Sequence, residues 1–142
     1  MKHQYFGDIN DYLKYGLLRV ILRETTLRMG ACWMLTGDDG RADGGKTRYL
    51  DQAAVWRSYD PPLFDLLQHA VHSGERNIGA VEAGQILPGA LFYSDMLSDS
   101  RDARYRYFEG LESVVSASEA VFFDPDNGME VRSKPKGRKD SS

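Results

Sequence analysis

Residues 120–128 have the sequence AVFFDPDNG, in which four apolar residues precede a turn rich in polar groups. A short apolar run bounded by turn residues is typical of a buried β-strand. Pro125 and Gly128 favour a sharp turn directly after that strand, with Asp124 and Asn127 at the edge of a sheet. A structural turn held by Asp or Asn side-chain hydrogen bonds is the alternative interpretation. In both cases the strand is predicted to end at Asp124.

Three further segments have the same pattern of a short apolar run before polar or glycine residues. They are 31–35, which leads into a glycine-rich loop at 36–45; 78–81, which ends at Glu82; and 91–93, which ends at Asp95. The spacing of apolar residues predicts helices at about 9–28, 47–58, 60–74 and 101–115. Short strands that alternate with helices favour an α/β fold with a mostly parallel, four-stranded sheet, because consecutive parallel strands require a crossover.

Length and composition limit the class of protein. The chain has 142 residues, with 18 Lys and Arg against 21 Asp and Glu, a net charge of -3 and 42% hydrophobic residues. A chain of this length forms one domain. Its hydrophobic content is too high for a disordered chain. No apolar run approaches the roughly 20 residues that span a bilayer. Because Cys32 is the single cysteine and the N-terminus has no apolar signal region, we expect a cytoplasmic protein.

We predict an α/β domain over 1–130, with a helical insertion at about 47–74, and a basic, flexible tail over 131–142.

The ends of the predicted strands carry groups that suit a nucleoside-type cofactor. Ligands of such sheets bind beyond the carboxyl ends of the strands. A glycine-rich loop lets the backbone approach the ligand, a carboxylate accepts hydrogen bonds from ribose hydroxyls, and a further polar group contacts the base. The 36–45 loop, Glu82, Asp95 and the Asp124 turn supply these groups in chain order.

Two of these segments resemble a known family. The Asp124 turn resembles the Asp/Asn-Pro-Pro-Tyr/Phe motif of S-adenosylmethionine-dependent amino-methyltransferases, especially those that modify adenine N6. Residues 7–15, GDINDYLKY, resemble the Gly-Asn-x-Ala-Asp-x-x-Lys-His segment of the J-type ribosomal RNA adenine-N6-methyltransferases, with Gly7, Asp11 and Lys14 in register. The whole chain is also similar to a bacterial and phage family with GDxNDY, DDG and FFDPDNG blocks.

This resemblance implies a Rossmann-like methyltransferase fold, truncated after the fourth strand, which a second chain or a missing C-terminal part would complete. It implies S-adenosylmethionine as the cofactor and a nucleic-acid amino group as the substrate, and a fragment that lacks the later strands would be inactive. We expect no metal site. The residues that it assigns to the cofactor are Lys14, Gly37, Asp38, Asp39 and Gly40 near the methionine part, Glu82 at the ribose and Asp95 near the adenine.

The catalytic turn implied by the resemblance consists of Asp124, Pro125, Asp126 and Asn127. Asp124 would accept hydrogens from the target amino group and hold it in line with the methyl group. Asp126 and Asn127 stand where the family motif has its second proline and an aromatic residue that stacks on the flipped base.

Two other functions remain open. Asp124 and Asp126, two residues apart after a strand, suit Mg²⁺ in a metal-dependent phosphoesterase or nuclease. A non-catalytic module that binds nucleic acid or protein is the second alternative.

Two basic segments are candidate nucleic-acid contacts. Arg101, Arg104 and Arg106 alternate with aromatic residues, and Lys136, Arg138 and Lys139 lie in the tail. Such a composition suits binding to phosphates and bases. A solvated helix face and a solubilising tail are the structural alternatives.

Overall fold

The sheet is small and entirely parallel. The computed structural model describes residues 1–38, 40, 45–98 and 100–125. Within these residues the strands are β1 (Met29–Cys32), β2 (Leu91–Tyr93) and β3 (Ala120–Phe123). Their order is β2-β1-β3, with β1 in the centre, so the chain has an α/β fold with an open three-stranded parallel sheet.

Helices make up most of the remaining described chain. The α-helices are α1 (Ile9–Glu24), α2 (Ala53–Trp56), α3 (Pro61–His72), α4 (Gly79–Ala83) and α5 (Arg101–Val115), and short 3-10 helices lie at His3–Tyr5 and Arg48–Asp51. The three longest helices begin at a capping side chain that accepts a hydrogen bond from a backbone N–H of the first turn, namely Asp8, Asp60 and Ser100. These caps satisfy donors that would otherwise have no partner within the helix. In the described part of the chain, no helix is long and apolar enough to cross a membrane.

The sheet separates two apolar layers, because successive side chains of a strand point to opposite faces. Ala31 and Trp33, two positions apart, belong to the larger layer, which includes α1 and α3. Cys32 belongs to the smaller layer and packs with Tyr107 and Leu111 of α5. Helices α1 and α5 therefore cover opposite faces of the sheet.

The path of the chain creates a position where the strand order reverses. After β1 the chain passes through α2, α3 and α4 to β2, and it then crosses through α5 to β3 on the other side of β1. Ligands of open α/β sheets bind beyond the carboxyl ends of the strands at such a position. In this chain the position lies between the ends of β1 and β3.

The predicted strand at 78–81 is wrong. Gly79–Ala83 is helix α4, and Glu82 lies in that helix rather than at a strand end. Ile78 and Val81 are both buried in the larger apolar layer. A spacing of three residues fits one face of a helical turn, and so short an apolar run does not distinguish a strand from a buried helix. The described sheet consequently has three strands instead of four.

The helix predicted at 101–115 and the strands predicted at 91–93 and 120–123 are confirmed with these ends, and the other predicted elements are confirmed with shifted ends. The helix predicted at 9–28 ends at Glu24, because β1 already begins at Met29 rather than at residue 31. The helix predicted at 47–58 is a 3-10 turn followed by the single-turn helix α2. The tail over 131–142 lies outside the described residues.

Candidate functional site

Lys14 connects two carboxylates at the position where the strand order reverses. Its Nζ lies 2.7 Å from Asp124 Oδ2 and 2.9 Å from Asp11 Oδ1. Asp124 directly follows β3, and its backbone N–H donates to the carbonyl of Cys32, which extends the pairing of β3 with β1. Lys14 and Asp11 lie three residues apart on α1 and therefore share one side of the helix. The cluster thus joins α1 to the carboxyl end of the sheet.

Both carboxylates of this cluster are buried. Burial raises the pKa of Asp11 from 3.8 to about 6, although the charge of Lys14 and the hydrogen bond from the Gly7 N–H act in the opposite direction. Burial lowers the pKa of Lys14, but the combined attraction of Asp11 and Asp124 outweighs it and raises that pKa above its usual value. Lys14 is therefore a fixed positive charge between two buried acidic groups.

Two hydroxyl groups near the carboxyl end of the sheet are buried without a hydrogen-bond partner in the described part of the chain. They belong to Tyr15, which follows Lys14, and Thr36, which lies just beyond β1. Burial, followed by the charges of Asp11 and Asp124, raises the pKa of Tyr15 well above its usual value. An unpaired buried hydroxyl costs free energy, so the two groups are available to a ligand atom or a water molecule.

Glu82 lies beside the carboxyl ends of β1 and β2 although it belongs to a helix. Its Oε1 accepts from the indole N–H of Trp33 at 2.7 Å and from the hydroxyl of Ser94 at 2.5 Å. Trp33 directly follows β1 and Ser94 directly follows β2. The structure therefore brings the Glu82 carboxylate to the predicted edge of the sheet, but on helix α4 instead of at the end of a strand.

The remaining cofactor candidates lie around the same edge. Asp95 is exposed two residues beyond β2, and burial together with this carboxylate raises the pKa of Tyr93 to about 12. Asp38 accepts from the backbone N–H of Gln4 at 3.3 Å. Among the described residues, no atom lies within 4 Å of a Cβ added at Gly37 or Gly40, so the backbone at these two positions borders open space in this part of the chain.

The three predicted arginine contacts lie on α5, away from the Lys14 cluster. Arg101, Arg104 and Arg106 are exposed, and α5 covers the opposite face of the sheet from α1. Tyr105 and Phe108 are also exposed on this helix. The structure does not bring these groups together with Lys14.

Several predicted site residues lie outside the described residues, namely Asp39, Asp126, Asn127, Lys136, Arg138 and Lys139. Pro125, the last described residue of the predicted catalytic turn, is half-buried. Among the residues that are described, no group of three His, Cys, Asp or Glu side chains is arranged to hold a metal ion.

The site residues predicted from the sequence do not include Asp11, which belongs to the cluster, or Tyr15, whose ring lies beneath the Lys14 ammonium. A usable signal was present, since Tyr12, Tyr15 and Leu18 are apolar at helical spacing and Asp11 falls on the face that they define. An acidic residue on a buried helix face requires a partner, and Lys14 is the nearest cation on the same helix.

Comparison with known proteins gives no family assignment. No protein-family model, no curated protein and no solved structure matches this chain. The function has to be inferred from the chemistry of the site.

Proposed function

We propose that this chain is a methyltransferase-like protein that binds S-adenosylmethionine over the carboxyl ends of its strands and acts on a nucleic-acid amino group. One observation carries the proposal. The contact of 2.7 Å between Lys14 and Asp124 places a cation and a carboxylate where the strand order reverses, the position at which ligands of such sheets bind.

The residues around this position suit the parts of the cofactor. The Lys14 side chain is 29% exposed, so its ammonium can also contact the carboxylate of a bound methionine group. Glu82 and Asp95, beside the end of β2, offer acceptors to ribose hydroxyls or to the adenine amino group. The open space at Gly37 and Gly40 lets the backbone approach the ligand.

Asp124 is the proposed acceptor for the substrate amino group. Lys14 holds its Oδ2, whereas Oδ1 has no hydrogen-bond partner among the described residues and can accept an amino N–H. When bound, S-adenosylmethionine supplies a methyl group on a positively charged sulfur, which leaves as a neutral thioether. A carboxylate that orients the amine and accepts its hydrogens favours the positive charge that develops on nitrogen.

Cofactor binding is tested first, by calorimetric titration with S-adenosylhomocysteine. We expect saturable binding and a raised melting temperature. Asp95→Asn should weaken binding about tenfold or more, because a charged acceptor is lost. Asp102→Asn is the matched control, since Asp102 is equally an exposed acidic residue but lies on α5. Absence of binding, or equal weakening by both variants, contradicts the proposal.

Transfer is tested with isotopically labelled S-adenosylmethionine and adenine-containing single-stranded DNA or RNA. We expect label in the nucleic acid with the parent chain and none with Asp124→Ala, which removes the acceptor oxygens, while S-adenosylhomocysteine binding persists. Transfer that survives Asp124→Ala excludes the assigned role of Asp124.

The metal-dependent phosphoesterase requires Asp124 and Asp126 together. Asp124 contacts Lys14, and Asp126 lies outside the described residues. No observation in the described chain favours this second function.

A further inference from the structure

A groove with basic and aromatic walls lies between the start of α1 and the chain that leads into α2. Its volume is about 520 Å³. Small-molecule sites occupy volumes of about 300–1,000 Å³, so the groove is large enough for a ligand of that size. None of its lining residues belongs to the Lys14 cluster, so the groove is a separate place on the molecule. The residues that line it include Ile9, Lys46, Arg48, Tyr49, Gln52 and Trp56.

The walls of the groove are held in place by contacts with the rest of the fold. The backbone carbonyl of Lys46 accepts a hydrogen bond from the N–H of Ile9 at 3.1 Å. The carbonyl of Trp56 accepts from the hydroxyl of Tyr12 at 2.8 Å. The ring of Trp56 also lies 6.0 Å from the ring of Tyr49 in an edge-to-face arrangement. The backbone on both sides of the groove and the indole ring are therefore positioned before any ligand binds.

The groove carries two cations and, among the described residues that line it, no carboxylate. Lys46 and Arg48 are exposed, and within the described part of the chain neither side chain forms an ion pair or a hydrogen bond. The acidic residues of the neighbouring chain have other partners, since Asp8 caps α1 and Asp51 lies 3.4 Å from His72. The positive charge of the groove is therefore available to an anionic group such as a phosphate.

A planar ring and an amide lie beside the two cations. Trp56 is half-buried and Gln52 is exposed. Neither the indole N–H of Trp56 nor the side-chain amide of Gln52 has a hydrogen-bond partner among the described residues. Aromatic side chains stack on nucleobases, and an amide both donates to and accepts from polar groups of a base or sugar. These groups favour a ligand that joins a phosphate to a planar heterocycle.

We propose that this groove binds a nucleoside phosphate, either free or as one unit of a single-stranded nucleic acid. The phosphate lies between Lys46 and Arg48, which form charge-assisted hydrogen bonds with its oxygens, and the base lies against the ring of Trp56. Gln52 contacts a polar group of the base or the ribose. Since S-adenosylmethionine has no phosphate and the Lys14 cluster does not line the groove, this proposal does not depend on the proposed function.

Tryptophan fluorescence tests the proposal, because one of the two tryptophans reports on the groove. Trp33 is fully buried, whereas Trp56 lines the groove. We expect saturable quenching by adenosine monophosphate or by a short single-stranded oligoadenylate. As competitors, inorganic phosphate and adenosine should bind more weakly by about tenfold or more, because each lacks one of the two groups that the site contacts. Saturation by the mononucleotide identifies a site for free nucleotides, and saturation by the oligonucleotide alone identifies a site for a nucleic-acid strand.

The cations are tested with Lys46→Gln/Arg48→Gln, which should weaken binding about tenfold or more through the loss of charge-assisted hydrogen bonds. Both side chains are exposed, so the variant should fold. Arg23→Gln/Arg28→Gln is the matched control, since it removes the same charge at and beyond the last turn of α1 and should leave the affinity unchanged. S-adenosylhomocysteine binding should persist in both double variants, which separates this groove from the proposed cofactor site. Absence of saturable binding by either nucleotide ligand, or equal weakening by the two double variants, overturns the proposal.

Discussion

Lys14 Nζ lies 2.7 Å from Asp124 Oδ2, although 110 residues separate them. This contact fixes the middle of α1 to the residue that ends β3, and Asp11 completes the cluster on the other side of the ammonium. One cation thus stabilises the junction of a helix with the sheet and also defines the proposed site.

Removal of the cation should destabilise the fold. Lys14→Met removes the ammonium that contacts both buried carboxylates, Asp11 and Asp124, and we expect a loss of about 3 kcal/mol in the free energy of unfolding, measured by urea denaturation. The double variant Lys14→Met/Asp124→Asn should lose less than the sum of the two single losses. Strict additivity would show that the two groups do not interact.

The pH dependence of stability should report Asp11. Its pKa is about 6 in the folded protein against 3.8 as the usual value, so between these pH values the folded state retains a proton that the unfolded state releases. The stabilisation that the Asp11 proton gives to the folded state is complete below pH 3.8. It is lost as the pH rises to about 6, and the free energy of unfolding falls by about 3 kcal/mol in all. Relative to Asp11→Asn, the parent chain should therefore lose stability across this interval. Parallel stability curves would contradict the raised pKa.

Glu82 should matter as a hydrogen-bond acceptor for Trp33. Glu82→Leu leaves the buried indole N–H without its partner and should cost about 1–3 kcal/mol, measured by thermal unfolding. Glu82→Gln retains an acceptor oxygen and should restore most of that loss. Equal losses of stability in the two variants would show that the fold is stabilised by the charge of Glu82 and not by its hydrogen bond with Trp33.

Gly7 should tolerate no side chain, for two separable reasons. Its φ is +88°, and an added Cβ would lie 2.5 Å from Val71 Cγ2. Gly74 has a similar φ of +76°, and no atom of the described residues lies within 4 Å of its added Cβ. Gly7→Ala should therefore destabilise more than Gly74→Ala, and Val71→Ala should recover part of the difference. If the two glycine variants unfold alike, the close approach to Val71 is unimportant.

Local pattern was sufficient for several elements. Helix α5 and strand β3 have the predicted ends, because a capping serine and a bounded apolar run are properties of neighbouring residues. The same reasoning failed at Ile78–Val81, since two buried apolar residues three apart satisfy a helical turn as well as a strand. The apolar layer that receives this segment, built from α1 and α3, selects the helix.

The sequence by itself determined the α/β class, the capped helices and the polar groups that follow the strands, because each depends on residues a few positions apart. Only the tertiary structure decided that Asp11, Lys14 and Asp124 form one cluster. That juxtaposition follows from the strand order β2-β1-β3, which places the end of β3 beside β1 and under α1. Strand order is set by how the layers bury their apolar faces, and no local periodicity encodes it.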